Sequence, residues 1–136
     1  MTAMNNSVRI LIADDNDLLR KGLSSLLQET RGWTVCGEAA NGKDAISEAI
    51  RLAPDVILVD VSMPDMNGFE VASTIHEQLP ACEILIVTEH DARFLAHLEL
   101  QPGVRGYVMK SRVNSDLVLA VEAASKHRPL SASASV

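Results

Sequence analysis

Val56-Ile57-Leu58-Val59-Asp60 is a run of four branched apolar residues that ends on a carboxylate. Such a short run, with Pro54 before it and the turn-rich Val61-Ser62-Met63-Pro64-Asp65-Met66-Asn67-Gly68 after it, reads as a strand buried on both faces. Three other stretches have the same form. Ile10-Leu11-Ile12-Ala13 runs into Asp14-Asp15, Ile84-Leu85-Ile86-Val87 into Thr88, and Gly106-Tyr107-Val108-Met109 into Lys110. The segment 33–39 is the least hydrophobic strand candidate and is expected at an edge.

Helical periodicity fills the intervals. Residues 16–29 place Leu19, Leu23, Leu26 and Leu27 on one face, with Asn16 and Asp17 as caps. Residues 42–52 turn Ala45, Ile46, Ala49 and Ile50 inward until Pro54 stops the helix, because the residue before a proline is pushed out of the α region. A third helix runs from the loop to about residue 79, with Val71, Ala72, Ile75 and Leu79 inward and Pro80 closing it. The fourth, near 91–100, lacks a clean apolar stripe and is ended by Pro102-Gly103. The fifth, about 113–126, carries Leu117, Ala120, Val121 and Ala124 on one face. Five strands alternating with five helices predict an α/β fold, a doubly wound (βα)5 parallel sheet with right-handed crossovers and helices on both faces. A flavodoxin-like strand order 2-1-3-4-5 would set the Asp14-Asp15 and Asp60 strands side by side.

The bulk properties agree with one such domain. A chain of 136 residues suits one domain, which at about this size buries about 68–70% of its unfolded surface without a disulfide or structural metal. Aromatic residues make up only 3%, so the core falls to Ile, Leu, Val and Ala. The net charge of −6, with no Lys/Arg cluster, argues against direct nucleic-acid binding by this segment. Cys36 and Cys82 lack ligand spacing and read as buried thiols in a reducing compartment. His76, His90, His97 and His127 show no metal spacing and read as surface residues. No signal segment or membrane-length apolar run is visible, so the expected location is cytoplasmic.

Ligands of open parallel sheets bind outside the carboxyl ends of the strands. Asp14, Asp15, Asp60, Thr88 and Lys110 are therefore expected in one crevice. Two unit charges ~4 Å apart repel by roughly 4 kcal/mol at an effective dielectric near 20, and a hard divalent cation removes that cost. Mg²⁺ prefers carboxylate oxygen and bridges to phosphate. Asp60 is then the natural nucleophile for phosphoryl transfer, with Thr88 donating a hydrogen bond and Lys110 a positive charge to the phosphoryl oxygens.

With those residues in place, the chain resembles a response-regulator receiver domain of bacterial two-component signalling over residues 8–126. The resemblance implies that Asp14 and Asp15 bind Mg²⁺ with the phosphoacceptor Asp60, and that the backbone carbonyl of Ser62 completes the protein ligands. It places Thr88 and Lys110 as the phosphate-contacting hydroxyl and lysine, and Tyr107 as the switch aromatic. Gly37-Glu38-Ala39-Ala40-Asn41-Gly42, Met63-Pro64-Asp65-Met66-Asn67-Gly68 and Gly103-Val104-Arg105-Gly106-Tyr107 are similar to the NarL/FixJ (LuxR-type) subfamily. That likeness implies a sensor histidine kinase as phosphate donor, dimerisation on activation, and DNA binding through a separate C-terminal helix-turn-helix domain. Residues 1–7 then form a tail, 8–126 the receiver and 127–136 a linker stub, in a longer transcription regulator or a stand-alone receiver.

Two positions depart from the family pattern. Glu89 follows Thr88 where a small residue is usual, and Ser111 follows Lys110 where many receivers have proline. Rival readings are weaker. A haloacid dehalogenase-type phosphatase needs a second acid two residues after its nucleophile, where this chain has Ser62. A flavin or nucleotide site needs a phosphate cradle after the first strand, where Asp14-Asp15-Asn16-Asp17 would repel phosphate. A phosphorylation-independent protein-binding module is the remaining alternative, favoured by Glu89 alone.

Overall fold

The computed structural model describes residues 7–89 and 102–126. The helix expected at 91–100, and with it His90, His97 and His127, lies outside them.

Five parallel strands form one sheet: β1 (Val8–Ala13), β2 (Trp33–Ala39), β3 (Val56–Asp60), β4 (Glu83–Thr88) and β5 (Val104–Met109). Their order is β2-β1-β3-β4-β5, as the flavodoxin-like reading predicts, with β2 at an edge. Helices α1 (Asp17–Gln28), α2 (Gly42–Leu52), α3 (Gly68–Gln78) and α4 (Val113–Ser125) cover the sheet, with a 3₁₀ turn at Lys110–Arg112 leading into α4.

Alternation along the central strands builds two cores. Leu11, Ile57, Val59, Ile84 and Ile86 face α2 and α3, where Ala45, Ala49, Val71 and Ile75 meet them. Ile10, Ile12, Leu58, Leu85 and Val87 face α1 and α4, where Leu23, Leu27, Leu117 and Val121 complete the other layer. The period of two in each strand and the stripe on each helix thus close on one sheet from both sides.

Local signals set the helix ends. Asn16, Asn41 and Asn67 cap α1, α2 and α3, each accepting a hydrogen bond from the backbone N–H three residues on. Asn67 and Glu70 add a reciprocal capping box. Asp17 lies within the first turn of α1 and pairs with Arg20 at 2.6 Å, so it supports the helix without being its cap.

Three expectations need correction. Ile50 is 51% exposed, because α2 meets the sheet through its small Ala45 and Ala49 and the inward stripe is narrower than the apolar one. Cys36 is only half-buried, since β2 is an edge strand; Cys82 is buried as expected. His76 is only partly at the surface. It is half-buried, with its Nδ1 enclosed and without a hydrogen bond, against Gly103 at φ 83°, where a Cβ would meet Nδ1 at 2.5 Å.

Candidate functional site

The parallel register brings the strand ends level. Ala13 pairs with Val59, Asp60 with Val87, and Thr88 with Met109, so Asp14, Asp60, Thr88 and Lys110 leave the sheet at one edge. Asp14, Asp60 and Thr88 are buried, while Asp15 is exposed. One oxygen of each of Asp14, Asp15 and Asp60 lies within 4.8 Å of the others.

Lys110 reaches across this cluster. Its Nζ is 3.3 Å from Asp60 Oδ2, 3.4 Å from Asp14 Oδ2 and 3.7 Å from Glu89 Oε2. Ser111 does not prevent that reach, and the described peptide bonds are all trans. Burial opposes the lysine's charge, but the Asp60 and Asp14 carboxylates hold its pKa above the ordinary range. Burial, and after it the negative charge of Asp14, pushes the Asp60 carboxyl up, against the pull of the Ser62 N–H and of Lys110.

The loop after β3 is tied at several points. Gly68 N donates to the Val61 carbonyl at 2.8 Å, and Ser62 and Asn67 form an antiparallel bridge. Ser62 N donates to Asp60 Oδ1 at 3.2 Å, and Ser62 lines the cleft beside it. At the tip, Asp65 accepts from the N–H groups of Gly42 (2.7 Å) and Lys43 (3.0 Å), the first residues of α2. This latch was not apparent from the sequence; an acid in a turn-rich loop opposite a glycine-led helix start is the signal that points to it. Met63 and Met66 pack into the core beneath, and Gly68 lies so close to β3 that a Cβ would be 2.7 Å from the Asp60 carbonyl oxygen.

Asp60, Ser62, Thr88, Glu89 and Lys110 line a cleft of about 310 Å³. Tyr107 is on β5, 39% exposed, and does not line that cleft. The donor set suits a hard divalent cation, because three carboxylates converge and the buried Asp14 Oδ2 makes no hydrogen bond, only its long ionic contact with Lys110. No helix among the described residues is long and apolar enough to cross a membrane.

Residues 10–122 match the response regulator receiver domain family. The response regulator protein VraR of Staphylococcus epidermidis is 36% identical over 115 residues, 85% of this chain and 55% of VraR. The uncharacterized transcriptional regulatory protein YxjL of Bacillus subtilis is 36% identical over 121 residues, 89% of this chain and 56% of YxjL. The chain thus spans little more than half the length of these relatives. Among solved structures, a two-component response regulator of the LuxR family from Aurantimonas sp. SI85-9A1 superposes with a TM-score of 0.83. It is 32% identical, with 90% of this chain and 87% of that one covered. Sequence, strand order and relatives agree, and the chain belongs to the response regulator receiver domain family, in its NarL/LuxR-type branch.

Proposed function

We propose that this receiver is a phosphorylation-driven switch with Asp60 as its phosphoacceptor, fed by a sensor histidine kinase. The observation that carries the reading is the buried Asp60 carboxylate at the end of β3, opening on the cleft and held 3.3 Å from Lys110. An Asp60 oxygen forms the new bond to phosphorus while the bond from phosphorus to the donor nitrogen breaks. That electron pair stays on the imidazole, which leaves protonated. Lys110 balances charge on the phosphoryl oxygens, and the Thr88 hydroxyl donates to one of them. Asp14, Asp15, Asp60 and the Ser62 carbonyl would hold Mg²⁺, which supplies electrostatic relief to attacking and transferring groups alike. Water later removes the phosphoryl group, so turnover is self-directed and the domain signals instead of processing a substrate pool.

Phosphorylation adds about −1.5 to −2 charges in ordinary phosphoresidues, and Thr88 and Lys110 would close on that charge while Tyr107 turns inward from its exposed position. In the full protein, residues 8–126 would act as the receiver and 127–136 as the start of a linker to a DNA-binding output domain. Dimerisation on activation and a cytoplasmic location complete the reading, which the relationship to a transcriptional regulatory protein and a LuxR-family regulator supports. The approach of Glu89 to Lys110 favours one alternative, a phosphorylation-independent protein-binding module.

Intact mass after incubation with acetyl phosphate and Mg²⁺ tests the proposal. One hydroxylamine-labile phosphate is expected on wild type and none on Asp60→Asn. No adduct on wild type, and no beryllofluoride complex either, would refute it and leave the binding-module reading.

A further inference from the structure

Glu89 stands at the rim of the cleft, its side chain 77% exposed and its Oε2 3.7 Å from Lys110 Nζ. Lys110 is therefore shared among three carboxylates: Asp14 and Asp60, which are buried, and Glu89, which is not. A phosphoryl group that reaches Asp60 through this cleft passes Glu89 and needs the ammonium that Glu89 already contacts. Like charge at the opening slows the approach of an anion, and an ion pair at the destination must be exchanged before the anion is held. Both effects grow with the donor's charge.

We infer that Glu89 is a specificity-determining residue of this site, discriminating among free small-molecule phosphodonors by charge and disfavouring dianionic ones through competition for Lys110. The inference rests on the reading of Asp60 as acceptor. A free donor has no contacts outside the cleft to offset the repulsion, so the whole effect appears in its rate of transfer. Glu89 and Lys110 both reach solvent, so dissolved salt screens the effect over a Debye length of about 10 Å at 0.1 M.

The test compares wild type, Glu89→Gln and Glu89→Ala with two donors of similar size, dianionic acetyl phosphate and monoanionic phosphoramidate. Initial rates are read by intact mass at low and high ionic strength. At low salt Glu89→Gln is expected to speed transfer from acetyl phosphate about fivefold, near the upper limit for an exposed charge pair, and from phosphoramidate by less than about twofold. High salt should shrink both gains. Equal rates for wild type and Glu89→Gln with acetyl phosphate would overturn the inference. Acceleration by Glu89→Ala alone would also overturn it, since that marks bulk and not charge, and so would equal acceleration with both donors. If no protein takes phosphate or beryllofluoride, the acceptor reading itself fails and the inference falls with it. Wild type that is phosphorylated, with an indifferent Glu89→Gln, sinks the inference alone.

Discussion

Replacing Lys110 with methionine keeps most of the side-chain volume and removes the ammonium that lies between Asp14 and Asp60. At separations of 3.4 and 3.3 Å and an effective dielectric near 20, each attraction is worth about 5 kcal/mol gross. The repulsion between carboxylate oxygens within 4.8 Å is about 3.5 kcal/mol on the same basis, and it remains after the substitution. Burying the lysine costs much of the gross attraction, and methionine is easier to bury. The expected net loss is about 3 kcal/mol, the lower end of what breaking a buried pair costs.

Two signatures distinguish this from a packing defect. The Asp60 carboxyl already titrates above its ordinary range through burial and the Asp14 charge, and loss of Lys110 raises it further. A carboxyl whose folded pKa exceeds its unfolded value of about 3.9 destabilises the fold while ionised, and the burden lifts as pH falls through the folded pKa. The deficit of Lys110→Met should therefore be largest at neutral pH and narrow in mildly acidic buffer, as pH falls toward the raised folded pKa of Asp60. Mg²⁺ should also recover more stability in the variant, since a ligand at 100 times its Kd adds about 2.7 kcal/mol. Urea unfolding followed by circular dichroism, with EDTA or with Mg²⁺ at both pH values, reads all three. A variant as stable as wild type in EDTA at the higher pH would refute the argument that Lys110 neutralises the buried acids.

Gly68→Ala should cost about 2 kcal/mol in the same unfolding assay and weaken Mg²⁺-dependent stabilisation, because the new methyl meets two backbone atoms, Asp60 O at 2.7 Å and Val61 Cα at 2.8 Å. Unchanged stability would mean that the loop yields cheaply. Arg105→Ala strips the partner, 2.5 Å away, from the buried Glu83; with the arginine side chain 45% exposed, a loss of about 2 kcal/mol is expected. Adding Glu83→Gln should restore most of that, as a double-mutant cycle would measure. The Cys82 thiol is pushed up to about 12, first by burial and then by the Glu83 charge, so a thiol reagent should label it only on unfolding. The unfolded chain ionises that thiol first, at about 8.5, so stability should fall as pH rises above that value, by up to about 1.4 kcal/mol per unit. Cys82→Ala should flatten the slope in urea melts.

The strand ends were legible because each combines a buried apolar run with one polar residue, and parallel topology leaves those residues a single edge to share. The edge position of β2 followed from its weaker apolarity in the same way. Ile50 misled because periodicity marks which side chains can face inward, whereas the small residues beside it decide how closely the helix approaches. Glu83 carried no signal in the sequence: it is buried, and only the neighbouring strand brings Arg105 to it. Asp65 was legible as a turn residue; its bond to Gly42 and Lys43 depends on where the loop tip falls in space. Tyr107 remains an inference from family likeness, since no pattern in β5 sets it apart from a half-exposed packing residue.

The Asp65 latch has a consequence for affinity. The segment from Val61 to Gly68 is closed at its base, bridged in its middle and pinned at its tip. Ordering a backbone residue costs roughly 1–2 kcal/mol of conformational entropy, and here that cost is met when the chain folds. Under the proposed phosphorylation, a cation or phosphoryl group would meet a loop and a carboxylate already in position, and its binding energy would not go into freezing that loop. What is left would be available for the other side of the cleft, where the lysine would have to exchange its exposed carboxylate partner.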